Sequence, residues 1–174
     1  MRHWILAAVL LCAAATAVPE PQGYWTGSAQ APVPATIAGG TVIHTDELDA
    51  LLRKGGVVLI DVANAVHRPA NLPSATLWLL PPHRDIPGSV WIPDVGKGAL
   101  APAEDAAFRA KLRALTEGDT NRPVIVYCHH ACWLSWNAAK RAITYGYRRV
   151  FWYPDGVEGW MAAGKTLEVV KAST

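Results

Sequence analysis

The sequence predicts an α/β domain with a mostly parallel central sheet flanked by helices on both faces. Three observations carry that prediction. Residues 57–62 (VVLIDV) and 123–128 (PVIVYC) are unbroken, largely β-branched apolar runs, the pattern of strands buried on both faces. Helical spacing recurs between and after them, with proline and acids at helix starts and glycine at helix ends. Strands that alternate with helices return to the sheet by crossovers, which makes neighbouring strands parallel.

The elements follow in order. Residues 18–40 are rich in Pro, Gly and Ala without periodicity and read as an extended arm, ahead of a folded domain over 41–174. Thr45, followed by Asp46 and Glu47, reads as the N-cap of a helix that runs to about Lys54, where Gly55 and Gly56 stop it. The first buried strand is 57–62, and 86–93 (IPGSVWIP) gives a turn and a short strand. A helix is expected over 102–116, where Phe108, Leu112 and Leu115 share a face and Gly118 closes the end. The second strand ends at Cys128. A helix from Ser135 to about Tyr145 follows, capped by Gly146. Residues 149–153 form a third strand and 156–164 a last short helix.

The chain has 174 residues, about half of them apolar, enough for one domain with one substantial core. Its first 17 residues have the form of a secretory leader: Arg2 and His3, an uncharged apolar stretch, then Ala15-Thr16-Ala17. That stretch is shorter than the ~20 residues of a membrane span, and no second one follows. Leu11 stands before Cys12 where lipid attachment wants a small residue. The expectation is a periplasmic or secreted protein whose cysteines, once Cys12 is removed with the leader, are Cys128 and Cys132. Loss of Arg2 lowers the formal net charge from +2 to +1, which offers no basic field to nucleic acid or anionic lipid.

The chemistry concentrates in residues 128–133, Cys-His-His-Ala-Cys-Trp. Ligands of parallel sheets bind beyond the carboxyl ends of the strands, and Cys128 stands at such an end, before a helix. A thiol held by convergent backbone N–H groups and a helix N-terminus becomes a thiolate nucleophile. A buried cysteine ending a strand is also ordinary packing. Cys132, four residues on, lies where a disulfide can form, as a resolving thiol or a structural bridge. A bridge there would close only a small loop and constrain the unfolded chain little. A third reading is a copper or zinc site using Cys128, Cys132 and His129 or His130. Haem attachment is excluded, since Trp133 rather than histidine follows Cys132.

VVLIDV, IPGSVWIP, VIVYCHHACW and GYRRVFWYPDGVEGWMAAG, taken in order, resemble the successive signatures of single-domain rhodanese-like proteins. The resemblance implies a rhodanese-like fold and a six-residue loop, Cys128, His129, His130, Ala131, Cys132 and Trp133, whose first cysteine carries persulfide sulfur. More narrowly, PEPQGYW, APVPAT and CWLSWNAAKRA are similar to an exported group named for a Cys-Trp motif and associated with pyrroloquinoline-quinone-dependent alcohol catabolism. That likeness implies a periplasmic quinone-dependent dehydrogenase system as partner.

Two departures bear on activity. Trp133 closes the loop where active sulfurtransferases carry Arg or Lys, and Ala63 stands after the first strand where many relatives carry Arg. Asp61, an acid shared with the family, is expected to orient the loop or cap the turn after its strand. Arg84, with His83, is expected to bring positive charge to the site. His67 and Arg68 are expected to overhang it, and Trp133 and Trp136 to wall it or to pack in the core.

Two functions follow. One is sulfur (persulfide) transfer or thiol–disulfide chemistry at Cys128 and Cys132, with a small sulfur donor or a thiol or disulfide as partner and no cofactor. The other is a non-catalytic module whose loop captures copper, a redox cofactor or a partner protein.

Overall fold

The computed structural model describes residues 17–173. The expected leader, with Cys12, lies outside the described residues up to Thr16. The elements are β1 (Thr41–Val42), α1 (Thr45–Lys54), β2 (Val58–Asp61), β3 (His83–Asp85), β4 (Val90–Trp91), α2 (Pro102–Leu115), β5 (Val124–Tyr127), α3 (Trp133–Thr144), β6 (Val150–Trp152), α4 (Gly156–Ala162) and β7 (Glu168–Val170). Five strands form one parallel sheet in the order β1-β6-β5-β2-β4, and β3 pairs antiparallel with β7 outside it.

The pleat divides the core in two. Val58, Ile60, Val124, Val126, Val150 and Trp152 face a cluster with Phe108 and Leu112 of α2 and Trp136, Ala138 and Ala139 of α3. Their neighbours Leu59, Ile125, Tyr127 and Phe151 face the opposite cluster with Leu48 of α1 and Val157 and Trp160 of α4. Every residue of β2 and β5 is buried, as two-sided apolar runs require. The sheet ends on two-residue edge strands, β1 and β4, which leave little unpaired backbone exposed.

The α/β expectation holds, and the element ends shift by a residue or two. His44, not Thr45, caps α1. Its N–H donates to Glu47 Oε2 at 2.8 Å, while Thr45 Oγ1 pairs with Tyr153 OH at 2.8 Å. Helix α3 starts at Trp133, two residues before Ser135, so Cys132 is its N-cap. The arm packs on the domain. Glu20 accepts from the Ala38 N–H at 2.8 Å, and Lys140 donates to Pro21 O at 2.8 Å from above the Trp136 ring.

Candidate functional site

Strand β5 delivers Tyr127 and Cys128 to the carboxyl edge of the sheet, where Val62 N–H donates to Tyr127 O at 3.0 Å and Val157 N–H to Cys128 O at 3.1 Å. The pleat sends the two side chains to opposite faces, Tyr127 towards α1 and α4 and Cys128 towards α2 and α3. The loop then turns through Ala131, whose φ is +48°. Gly156 (φ +64°) lies beneath it so closely that a Cβ would sit 2.3 Å from His129 C and 2.4 Å from His130 N. Only glycine allows α4 to support the loop at that distance.

The expected cradle of loop N–H groups does not converge on Cys128. His130 N–H donates to Glu158 Oε2 at 2.8 Å, Ala131 N–H to Pro154 O at 2.8 Å, and Trp133 N–H to Ala29 O at 2.9 Å. His129 Nδ1 lies 2.8 Å from Glu158 Oε1, so both loop histidines are tied to the same carboxylate. Burial works to raise Glu158, but the hydrogen bonds from His129 and from the His130 N–H outweigh it and lower its pKa.

Both thiols are reduced and enclosed, Cys128 at 1% and Cys132 at 0% exposure. Burial pushes the Cys128 thiol well up, and its hydrogen bond to Cys132 adds to the effect. Cys132 moves the other way, to about 7. The Cys128 hydrogen bond is the largest cause and outweighs burial, and the N–H groups of Leu134 and Ser135 at the start of α3 add to it. The sequence reading put the thiolate on Cys128. The lower pKa falls on Cys132, chiefly because the Cys128 thiol hydrogen-bonds to it, with the N–H groups at the start of α3 adding to the effect while those of the turn are spent elsewhere.

The arm lies across this pair. Trp25 stacks on Trp133 with centroids 4.5 Å apart, and Trp133 Nε1 and Trp136 Nε1 each donate at 3.1 Å to arm carbonyls, those of Pro32 and Thr36. Asn137 holds the strap: its Oδ1 accepts from Trp25 N–H at 2.8 Å and its Nδ2 donates to Trp25 O at 2.9 Å and Gly96 O at 3.0 Å. Trp133, where a basic residue would meet a substrate anion, is 1% exposed and tied to the arm.

A second polar centre lies on the other face of the sheet. Asp61 is 1% exposed and ends β2. Its Oδ1 accepts from Ala63 N–H at 2.8 Å and its Oδ2 lies 2.6 Å from His83 Nε2. Asp85, 0% exposed, stands 3.7 Å from the same nitrogen and accepts from Tyr127 OH at 2.7 Å. Burial, then the charge of Asp61, pushes the Asp85 carboxyl up to about 8.

Of the sequence candidates, the structure brings together Cys128 and Cys132, with His129, His130, Ala131 and Trp133 around them. Asp61 caps its turn through Ala63 and joins the second centre. Alternation along β3 sends His83 into that centre and leaves Arg84 exposed, donating to Leu167 O at 3.4 Å. His67 pairs with Asp94 at 3.1 Å, and Arg68 donates to the carbonyls of Pro73 and Thr76. Trp136 is core.

Glu158, Asp85 and Asn137 were missed. An acid in the first turn of a helix is ordinary dipole chemistry, so Glu158 carried no signal. Asp85 carried one, a carboxylate leading directly into the apolar IPGSVWIP.

Comparison with known proteins agrees with this architecture. The polysulfide-sulfur transferase homodimer from Wolinella succinogenes aligns at 19% identity over 75% of this chain and 80% of that one, with a TM-score of 0.46. The human single-domain sulfurtransferase TSTD1 aligns at 21% identity over 70% and 95%, with a TM-score of 0.43. EanB, solved as a persulfide with ergothioneine, aligns at 15% identity over 83% of this chain and 34% of its own, with a TM-score of 0.51. Of the three, EanB alone passes a TM-score of 0.5, and at 15% identity its likeness speaks for the fold alone. No curated protein gives a significant sequence match. The profile of the rhodanese-like domain matches residues 44–163, from the cap of α1 to the end of α4 and so across the cysteine loop and every strand of the central sheet except β1. The chain belongs to the rhodanese-like domain family.

Proposed function

We propose that the protein handles sulfur through the Cys128–Cys132 pair by thiol–disulfide exchange rather than by transfer from thiosulfate. The observation that carries this reading is the enclosed pair of free thiols, with Cys132 at the N-cap of α3 in hydrogen-bond contact with Cys128 and its pKa lowered to about 7 by that contact. An attacking thiol works best with a pKa near ambient pH. The engagement of the His130, Ala131 and Trp133 N–H groups argues against an anion pocket for thiosulfate.

In the first step the Cys132 thiolate attacks one sulfur of a partner disulfide. A mixed disulfide forms, the partner's S–S bond breaks, and the leaving thiolate takes a proton from solvent. Cys128 then loses its proton to water or to the departing thiolate and attacks the Cys132 sulfur. The Cys128–Cys132 disulfide forms and the second partner thiolate leaves. The protein pair gives up two electrons and two protons, and the partner disulfide becomes two thiols. The reverse sequence oxidises a partner dithiol.

The leader-like N-terminus supports an oxidising, exported setting for such a couple. The PEPQGYW and APVPAT segments support a partner in quinone-dependent alcohol oxidation.

The test is intact mass after exposing reduced protein to glutathione disulfide. The native protein should lose two hydrogens, Cys128→Ser should stop at a glutathione adduct on Cys132, and Cys132→Ser should form neither product. Thiosulfate:cyanide turnover that needs Cys128 and survives Cys132→Ser would overturn the reading and return the chemistry to a Cys128 persulfide.

A further inference from the structure

We propose that Asp61, His83 and Asp85 bind one divalent transition-metal ion, with zinc the ion their nitrogen and oxygen donors suit. Among the described residues this is the cluster in which three potential ligand atoms lie within 4.8 Å of one another. The thiol loop does not take part, since its His129 is held by Glu158.

Four observations support the site. The first is charge: two carboxylates at 1% and 0% exposure share one imidazole, a negative excess that a buried position tolerates only with a cation or a proton. The second is an orphan, because Asp85 Oδ2 is fully buried and has no hydrogen-bond partner.

The third is spacing. Donors at ~2.1 Å from a tetrahedral ion stand roughly 3.4 Å apart. The 3.7 Å between His83 Nε2 and Asp85 Oδ1, the oxygen that also accepts from Tyr127 OH, is close to that already, and the 2.6 Å between His83 Nε2 and Asp61 Oδ2 must open by under about 1 Å. The fourth is support around the donors. Ala63 N–H fixes Asp61, Tyr127 OH fixes Asp85, and the Trp91 ring stacks on His83 at 3.8 Å, the outer restraint that metal ligands carry.

A cleft of about 640 Å³, walled by Leu80, Pro81, Pro82, Trp91 and Val170, reaches His83 and gives an ion or a metal-bound ligand a way in.

The test is zinc titration by calorimetry on full-length, chelator-stripped protein, run beside a Cys128→Ser/Cys132→Ser form to remove the competing thiols. One equivalent should bind to both. Asp85→Asn and His83→Gln should each weaken binding by at least ~100-fold, the upper range for loss of an outer-shell partner alone. The cobalt form should show d–d bands without a sulfur charge-transfer band. Circular dichroism checks the fold of each variant, and His83→Gln decides if Asp85→Asn does not fold. Zinc binding that is absent from the cysteine-free form, or that survives His83→Gln at full strength, would overturn the proposal.

Discussion

Replacing Asn137 with alanine removes the side chain that ties the arm to α3. Two of its three hydrogen bonds go to the backbone of Trp25 and the third to Gly96 O. At about 1 kcal/mol net for each bond, arm opening becomes easier by ~2 kcal/mol and global stability falls by ~3 kcal/mol. A loss of ~2 kcal/mol multiplies the arm-open population roughly 30-fold. Both thiols are enclosed beneath packing that includes Ala29, Ala31 and Val33 of the arm, so native-state alkylation should accelerate by that factor. The assay is the rate of iodoacetamide labelling in buffer, read by intact mass. Leu112→Ala is the control. Its side chain is 0% exposed on α2, and its loss should lower global stability by ~2–5 kcal/mol without touching the strap. If Leu112→Ala speeds labelling as much as Asn137→Ala, the thiols are reached by global unfolding and the arm is no gate. If Asn137→Ala leaves the rate unchanged, the thiols are reached by another route.

Four other outcomes follow. Cys128→Ala removes the donor that most lowers Cys132, so the apparent pKa of Cys132 alkylation should climb from about 7 towards its ordinary 9.0, and a value that stays near 7 would assign the shift to the helix N-terminus. In the native protein the Cys132 contribution to stability is present above pH 9 and is lost as pH falls through 7, because its folded pKa is the depressed one. The raised Cys128 loses its contribution only as pH rises above 9, so urea midpoints should climb from pH 7 to 9 and fall beyond, and a flat profile between 7 and 9 would refute the depression. Gly156→Ala places a methyl against the loop backbone at positive φ and should cost more than about 2 kcal/mol in urea unfolding, whereas a near-neutral result would mean the loop shifts freely. Glu158→Ala frees the His130 N–H and the His129 ring, so a sulfate-dependent rise in melting temperature should appear that the native protein lacks.

The fold was legible because its strands are two-sided. Residues 57–62 and 123–128 bury both pleats, and such runs announce themselves without a partner in view. Strands β1, β3 and β7 are two or three residues long, with polar or exposed positions, and their pairing is set by tertiary contact rather than by any local pattern. The thiol pair was legible for the same reason as the sheet, since the end of a buried strand is a fixed place. The destination of the loop N–H groups was not. It depends on Glu158, Pro154 and Ala29, which lie on three separate segments, and backbone hydrogen bonds between distant segments leave no trace in residue spacing.

One register explains why the two polar centres stand side by side without merging. Asp61 pairs with Tyr127 across β2 and β5, and both side chains point to the α1 and α4 face, where Tyr127 meets Asp85. The next residue, Cys128, points to the α2 and α3 face and meets Cys132. A sheet thus separates a carboxylate–imidazole cluster from a thiol pair that begins one residue further along the same chain. The separation has a consequence for experiment. Asp85→Asn acts through Tyr127 on one face, so it should leave the two-hydrogen loss at Cys128 and Cys132 intact. The cysteine variants should likewise leave zinc binding unchanged. If either substitution abolishes both readouts, the centres act as one site across the sheet, and the assignment of sulfur chemistry to one face and metal to the other is wrong.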